Sequence, residues 1–348
     1  MPRKVLSLSP RMLWKMSMPS SEAKIPRKSR MRKISYNQAS VEALQEEFRK
    51  NDKLVHMAED IHPELFAEFG GDRVRMTPIS ESAFVGAAIG LAGSGYRAVA
   101  DVRMATFAFV SFDQFVNQAA KITYMFGGQA KFPILYRQRN GLGASAAAQH
   151  SVNPYSMYMN VAGLKIIIPS TPYDVKGLLT TALRDDNPVI SFEHMKLGEV
   201  EGEVPEGEYY IPFGQASVAR NGNDVTVVAI SMMVHDALAA AEEMGRQGIS
   251  VEVIDPRTLV PLDKETIRNS VKKTGRLVVV DEACQTCGAA AEILSVVVED
   301  ADTFRALKAP TKRVCGLDVP VPFSPPMEKY AIPDKEKIAG AIREVVGF

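Results

Sequence analysis

The feature that most constrains the fold is the alternation of short apolar segments with longer amphipathic segments after Tyr36. The apolar segments have the length of strands and lie at residues 54–58, 98–102, 132–137, 165–168, 189–193, 225–230, 251–254, 277–280 and 313–314. The amphipathic segments predict helices at residues 81–92, 111–125, 174–184, 236–246, 264–273, 288–298 and 335–346. Because strands that alternate with helices are joined by crossovers, the pattern predicts an α/β fold with mainly parallel sheets covered on both faces.

The stretch GEVEGEVPEGEYYIP at residues 198–212 interrupts this alternation. It is rich in Gly, Glu and Pro, a composition that is typical of a linker between domains. The alternation then resumes, and the 348 residues are enough for two separate cores. We therefore predict one α/β domain over residues 34–200, a linker over residues 201–212 and a second α/β domain over residues 213–348.

The first 33 residues differ in composition from the rest of the chain. They contain ten Lys or Arg and one acid, whereas residues 34–348 contain 31 basic and 40 acidic residues. A segment this polar cannot bury enough surface to fold alone, so we expect residues 1–33 to be disordered. As a transit peptide the segment would direct the protein to the mitochondrial matrix. Alternatively the segment is a disordered tail, or it lies upstream of a true start codon at Met31. In either of these cases the protein would be cytoplasmic, and we favour this interpretation.

Composition and motifs exclude several classes of function. Because residues 34–348 carry more acidic than basic side chains, this part of the chain is a poor partner for nucleic acid. No apolar run approaches the roughly 18 residues of a membrane span. Three cysteines suggest a reducing compartment. The chain also lacks the phosphate loop G-x-x-x-x-G-K-[ST], the zinc motif H-E-x-x-H and the nucleophile elbow G-x-S-x-G. Two well-formed domains without a complete site suggest that catalysis is shared with another chain.

Glu81 is the first candidate site residue. It follows TPIS and begins an almost wholly apolar segment, AFVGAAIGLAG. A carboxylate at a helix start is favoured by the helix dipole, which is a purely structural explanation. Apolar surroundings would also raise its affinity for a proton, which points to catalysis. The residues alone leave both interpretations open.

Two further segments are candidates. His150 ends a Gly- and Ala-rich loop over residues 141–150, where small side chains let another molecule approach. Histidine carries protons near neutral pH, but a purely structural histidine is the alternative. The segment RDDNP at residues 184–188 clusters oxygen ligands at a helix end, and a capped turn is the alternative.

Several longer runs occur in a fixed order between about Lys33 and Phe348. They are TPISES, NQAAKITYMFGGQ, AQHS, GLKIIIPSTPYDVKGLLTTALRDDNPVISFE, VEVIDPRTLVPLD and KTGRLVVVDE. In this order they resemble the β subunits of pyruvate and branched-chain 2-oxo acid dehydrogenases, within the transketolase-like superfamily. The resemblance implies a pyrimidine-binding domain followed by a transketolase C-terminal domain. It implies decarboxylation of a small 2-oxo acid with thiamin diphosphate, and acyl transfer to the lipoyl domain of a lipoyl acyltransferase.

The resemblance also assigns roles to single residues. Glu81 is the family's TPISE glutamate, which hydrogen-bonds a ring nitrogen of the thiamin pyrimidine. Phe107 matches the aromatic residue that stacks on the pyrimidine. His150 matches a histidine near the channel mouth that is implicated in acyl transfer to the lipoyl group.

A structural potassium site is implied as well. Asp185 and Asn187, with the carbonyl oxygens of Ile134 and Ala182, match the oxygen ligands of this ion.

The diphosphate half of the cofactor site is missing from this sequence. The superfamily binds Mg²⁺ and the diphosphate through a GDG motif followed by NN, and neither occurs here; Gly70, Gly71 and Asp72 have the wrong order. The resemblance therefore implies that a separate α subunit holds Mg²⁺ and the diphosphate, in an assembly of two α and two β chains.

Two departures from the family leave the substrate open. The segment between Asp60 and Arg73 is shorter than usual, and DVRMATF lacks the usual aromatic residue two positions before Phe107. An acetoin-cleaving or carboligating relative that uses the same half-site is the first alternative. A non-catalytic paralogue is the second, and the presence of Glu81, Phe107 and His150 argues against it.

Overall fold

The first domain is built on a seven-stranded sheet. The structure, a computed structural model, describes residues 30–348. The strands of this sheet are β2 (Leu54–Ala58), β3 (Val74–Met76), β4 (Arg97–Met104), β5 (Ile134–Asn140), β6 (Lys165–Ile167), β7 (Val189–His194) and β12 (Thr258–Val260). Their order is β12-β6-β7-β5-β4-β2-β3, and all neighbours are parallel except β12, which runs antiparallel to β6. Because β12 belongs to the second half of the chain, its pairing with β6 connects the two domains.

Helices cover both faces of this sheet. They are α1 (Tyr36–Lys50), α2 (Pro63–Phe69), α3 (Glu81–Gly93), α4 (Ala120–Met125), α5 (Tyr155–Met159) and α6 (Pro172–Arg184), with 3₁₀ turns at Phe107–Ser111 and Met195–Leu197. Helix α1 starts at Tyr36 because Ser35 and Gln38 form a reciprocal capping box. Apolar side chains of α3 pack on one face of the sheet, and those of α1 and α6 pack on the other. The predicted α/β class is thus confirmed.

The second domain repeats this architecture on a smaller scale. Its strands are β9 (Ser217–Arg220), β10 (Val225–Ala229), β11 (Val251–Asp255), β13 (Leu277–Cys284) and β14 (Lys312–Gly316), in the order β14-β13-β10-β11-β9. Only β9 at the edge is antiparallel. Its helices are α7 (Met233–Arg246), α8 (Lys264–Thr274), α9 (Ala289–Val298), α10 (Ala301–Ala306), α11 (Pro325–Ala331) and α12 (Lys335–Val346). Within residues 30–348 no helix has the length and apolarity needed to cross a membrane.

Residues predicted to be disordered or to form a linker are in part ordered strands. Strand β1 (Met31–Ser35) pairs antiparallel with β8 (Glu201–Pro205). The predicted extension therefore ends before Met31, and its residues 1–29 lie outside the described part. The rest of the predicted linker packs against α6, and the side chains of Tyr209 and Ile211 are buried there. Gly177 allows this approach, since a Cβ there would lie 2.6 Å from Ile211.

The predicted helix over residues 111–125 is divided. After the turn at Phe107–Ser111, residues Gln114–Ala119 adopt π geometry and α4 completes the segment. Phe115 and Ala119 still face the core. π segments often occur at functional sites, and this one directly follows the turn that carries Phe107.

Candidate active site

The candidate residues lie after the carboxyl ends of neighbouring parallel strands. Glu59 follows β2, Glu81 follows β3, Phe107 follows β4, and the loop that ends at His150 follows β5. In open parallel sheets this edge is where ligands bind. We call residues 141–150 the histidine loop.

Glu81 is the first residue of α3 and is 8% exposed. Ser82 fixes the start of the helix, since its Oγ donates to the carbonyl of Val110 at 2.6 Å, in the turn that carries Phe107. No hydrogen bond or ion pair to the Glu81 carboxylate occurs within residues 30–348. A structural helix-start acid is usually exposed or bonded. The Glu81 carboxylate has no such bond within the described residues and is free to bond a ligand.

Glu59 is a further candidate site residue, which the sequence alone did not indicate. Burial, and then the neighbouring Glu81 carboxylate, raise its pKa above the ordinary value. In the described part of the chain Glu59 Oε1 and Thr77 Oγ1 are buried without hydrogen-bond partners. Two acids and a hydroxyl with unused bonding capacity suit a polar, proton-exchanging ligand. The only sequence signal was an acid directly after a buried strand.

Phe107 and His150 are in contact. Their ring centroids are 5.3 Å apart, with an interplanar angle of 85°. Thr106 links the two segments, because its Oγ1 donates to the carbonyl of Gln149. His150 is exposed, and its ring makes no hydrogen bond within the described residues. The histidine is therefore not fixed by structural bonds, which favours the functional interpretation over the structural one.

The predicted potassium ligands lie at the opposite end of the sheet, since Ile134 is the first residue of β5. The Asp185 carboxylate accepts from the Asn187 N–H at 2.9 Å and pairs with the Lys165 ammonium. The Ala182 carbonyl accepts from the Asp185 N–H at 3.2 Å. Because Lys165 already supplies a positive charge to the carboxylate, an ion here would depend on main-chain oxygens. Among residues 30–348 no group of three or more His, Cys, Asp or Glu could hold a metal, and the potassium ion stays a prediction.

Comparisons with known proteins agree with this geometry. Residues 32–199 match "Transketolase, pyrimidine binding domain" and residues 214–338 match "Transketolase, C-terminal domain". The chain is 46% identical to the β subunit of acetoin:2,6-dichlorophenolindophenol oxidoreductase of Cupriavidus necator, over 90% of this chain and 98% of that one. It is 43% identical to the β subunit of the pyruvate dehydrogenase E1 component of Rickettsia felis, with the same coverage.

Two further comparisons extend the picture. The chain is 38% identical to the 2-oxoisovalerate dehydrogenase β subunit of Bacillus subtilis, over 90% of this chain and 99% of that one. The solved structure of a split-gene transketolase, described as an inactive β4 tetramer, superposes with a TM-score of 0.75 at 23% identity, over 90% of this chain and 98% of that one, and shows the fold alone. The chain therefore belongs to the transketolase-like family of β subunits that includes those of pyruvate, 2-oxoisovalerate and acetoin dehydrogenating enzymes.

Proposed function

We propose that this chain is the β subunit of a thiamin-diphosphate-dependent 2-oxo acid dehydrogenase and supplies the pyrimidine half of the cofactor site. The observation that carries the proposal is the unpartnered carboxylate of Glu81, a residue only 8% exposed, at the sheet edge that also presents Phe107 and His150. The residues fit the cofactor, because the orphaned Glu59 Oε1 leaves further bonding capacity beside Glu81.

When bound, thiamin diphosphate supplies the electron sink for decarboxylation of the 2-oxo acid. Glu81 would hydrogen-bond a pyrimidine ring nitrogen and share a proton with it. The pyrimidine would stack on Phe107. The carboxyl group of Glu59, whose pKa is raised, is a second proton-binding group beside Glu81.

His150 is proposed to act after decarboxylation, during transfer of the acyl group to a lipoyl domain. Its exposure lets an incoming prosthetic arm reach the ring, and its contact with Phe107 holds the ring beside the cofactor position. The imidazole would hold or deliver a proton during this transfer.

The other half of the site is proposed to come from an α subunit, which would hold Mg²⁺ and the diphosphate. The support is the absence of GDG and NN from this chain. The proposed assembly has two α and two β chains and meets a lipoyl acyltransferase. A potassium ion on the main-chain oxygens near Asp185 remains part of the proposal.

Acetoin is the second candidate substrate. Two relatives, 46% and 41% identical, carry the name of the acetoin oxidoreductase β subunit. The substitutions around Asp101–Phe107, next to the proposed pyrimidine position, are compatible with a different small substrate.

The test is turnover of the co-expressed αβ enzyme with pyruvate, branched-chain 2-oxo acids and acetoin, using an artificial electron acceptor. Glu81→Gln should lower the rate with the preferred substrate by about 10²–10⁴-fold while assembly survives, because Gln cannot share the proton. Glu265→Gln is the matched control, since Glu265 is an exposed acid in the first turn of α8. Equal rates in the two variants would show that Glu81 is only a structural acid at the start of its helix.

A further inference from the structure

The histidine loop has a strained backbone. Gly141 and Gly143 have φ values of 111° and 83°, and the non-glycine residues Ser145 and Ala147 have φ values of 52° and 60°. Left-handed backbone is costly for residues with a Cβ, and it persists only where the surroundings hold it in place. Something outside the loop must therefore stabilise this conformation.

A buried acid from the second domain contacts the strained part of the loop. Glu328 lies in α11 and is 2% exposed. Its Oε1 accepts from the Gly143 N–H at 2.8 Å, and its Oε2 accepts from the Ser145 N–H at 2.9 Å. Both carboxylate oxygens are thus bonded to main-chain donors of one strained segment. Hydrogen bonds of this kind, with a charged acceptor, are about twice as strong as neutral ones.

A second acid holds the start of the loop. Glu282, at the end of β13, accepts from the Leu142 N–H at 3.0 Å and from Asn153 Nδ2 at 3.0 Å. Its Oε2 lies 2.8 Å from His194 Nε2. Burial acts to raise the pKa of Glu282, but His194 and the other donors hold it below the ordinary value. Glu282 therefore stays charged near neutral pH and keeps accepting these bonds.

The two acids act on different parts of the loop. Glu282 bonds Leu142 and, through Asn153, the segment just after His150, whereas Glu328 bonds the middle of the loop. Glu282 has three partners in the first domain, Leu142, Asn153 and His194, so its loss would disturb the contact between the domains at several points. Within the described residues Glu328 forms no ion pair, and its side-chain bonds go only to the loop. Substitution of Glu328 should therefore disturb the histidine loop without disturbing other contacts.

We propose that Glu328 is a positioning residue for His150: it holds the histidine loop in the strained conformation that presents the imidazole to the acyl-transfer partner. This inference rests on the proposed role of His150. It gives the second domain a part in the reaction, because α11 fixes the loop that β5 of the first domain carries. Decarboxylation depends on Glu81 and Phe107, which Glu328 does not bond, so the two half-reactions should respond differently.

The experiment compares Glu328→Gln with the unaltered enzyme, both as assembled αβ complexes. Glutamine can accept from one N–H but presents an amide donor to the other. Loss of one bond to a charged group corresponds to about a 10- to 100-fold change. We expect the amides of residues 142–150 to exchange hydrogen at least about tenfold faster, and kcat for acylation of a lipoyl domain to fall by a similar factor at unchanged KM. Decarboxylation with an artificial acceptor should stay near the original rate.

Two variants serve as controls. Glu336→Gln removes an exposed acid in the first turn of the neighbouring helix α12 and should change nothing. Glu328→Asp keeps the charge but is shorter, so it should retain one of the two bonds and give a smaller effect in the same direction. It also replaces Glu328→Gln if that variant does not assemble.

The outcomes separate this inference from the proposed function. Unchanged exchange over residues 142–150 would overturn the positioning role. Faster exchange with normal acyl transfer would also overturn it, provided that His150→Ala slows the transfer in the same assay. If His150→Ala itself leaves acyl transfer unchanged, the proposed role of His150 fails, while faster exchange would still support the contact between Glu328 and the loop.

Discussion

Gly141, at the start of the histidine loop, should not tolerate even one methyl group. Its φ is 111°, a region that residues with a Cβ rarely adopt, and a Cβ there would lie 2.2 Å from His194 Nε2. The His194 ring cannot move freely, because Nε2 lies 2.8 Å from Glu282 and Nδ1 accepts from the Lys196 N–H at 3.2 Å. Gly141→Ala therefore has to strain the backbone and also displace a buried ring.

The size of the effect follows from these two contributions. Backbone strain of this kind costs about 1–3 kcal/mol. Separating His194 from the Glu282 carboxylate costs about 1.5–3 kcal/mol more. We expect a total loss of about 2.5–6 kcal/mol, which lowers the midpoint of thermal unfolding by about 5–24 °C for domains of this size.

The assay is thermal unfolding of the assembled αβ enzyme, followed by acyl transfer at a temperature where the variant is folded. Gly340→Ala is the matched control, because Gly340 lies within helix α12 and a Cβ there would meet nothing within 4 Å. That substitution should be neutral or stabilise by about 0.5–1 kcal/mol. If Gly141→Ala unfolds at the same temperature as Gly340→Ala, the packing of the histidine loop against His194 is wrong.

Two more predictions concern the histidine and a buried acid. His150→Ala should slow acyl transfer to a lipoyl domain and spare decarboxylation measured with an artificial acceptor; equal loss in both assays would mean that His150 acts earlier. Burial, together with the Asp174 carboxylate, raises the pKa of Asp255 from its ordinary value to about 7. The unfolded chain therefore releases this proton at lower pH than the folded chain does, so ionised Asp255 destabilises the fold as pH rises from about 4 to 7. Asp255→Asn should raise the unfolding midpoint more at pH 8 than at pH 5, and an equal change at both pH values would contradict this.

The sequence predicted the buried strands well because their signal is local. Residues 225–230 (VTVVAI) and 277–280 (LVVV) are rich in Val, Ile and Leu, and they form β10 and the start of β13 in the second sheet. By contrast β1 and β8 were missed, since β8 has the sequence EGEVP and is stabilised mainly by pairing with β1, a long-range contact. The same holds for β12, whose three residues join the sheet of the other domain.

In the candidate active site, too, the sequence indicated residues in local motifs and missed those that depend on long-range contacts. Glu81 and His150 stood out through local motifs and the family resemblance, and the structure adds that His150 contacts Phe107. Glu328 had no signal of its own: it lies in the run SPPMEKYAIP, 185 residues from the glycine that it bonds. Its contact depends on how the two domains pack, which no local pattern encodes.

The central claim is that this chain holds only the pyrimidine half of a shared cofactor site. The most direct measurement is calorimetric titration of thiamin diphosphate with Mg²⁺ into the purified β chain, the α chain and the assembled αβ enzyme. We expect tight, Mg²⁺-dependent binding by the assembled enzyme and no tight binding by the β chain alone, because the sequence lacks GDG and NN. Saturable, Mg²⁺-dependent binding of thiamin diphosphate by the β chain alone would contradict the claim.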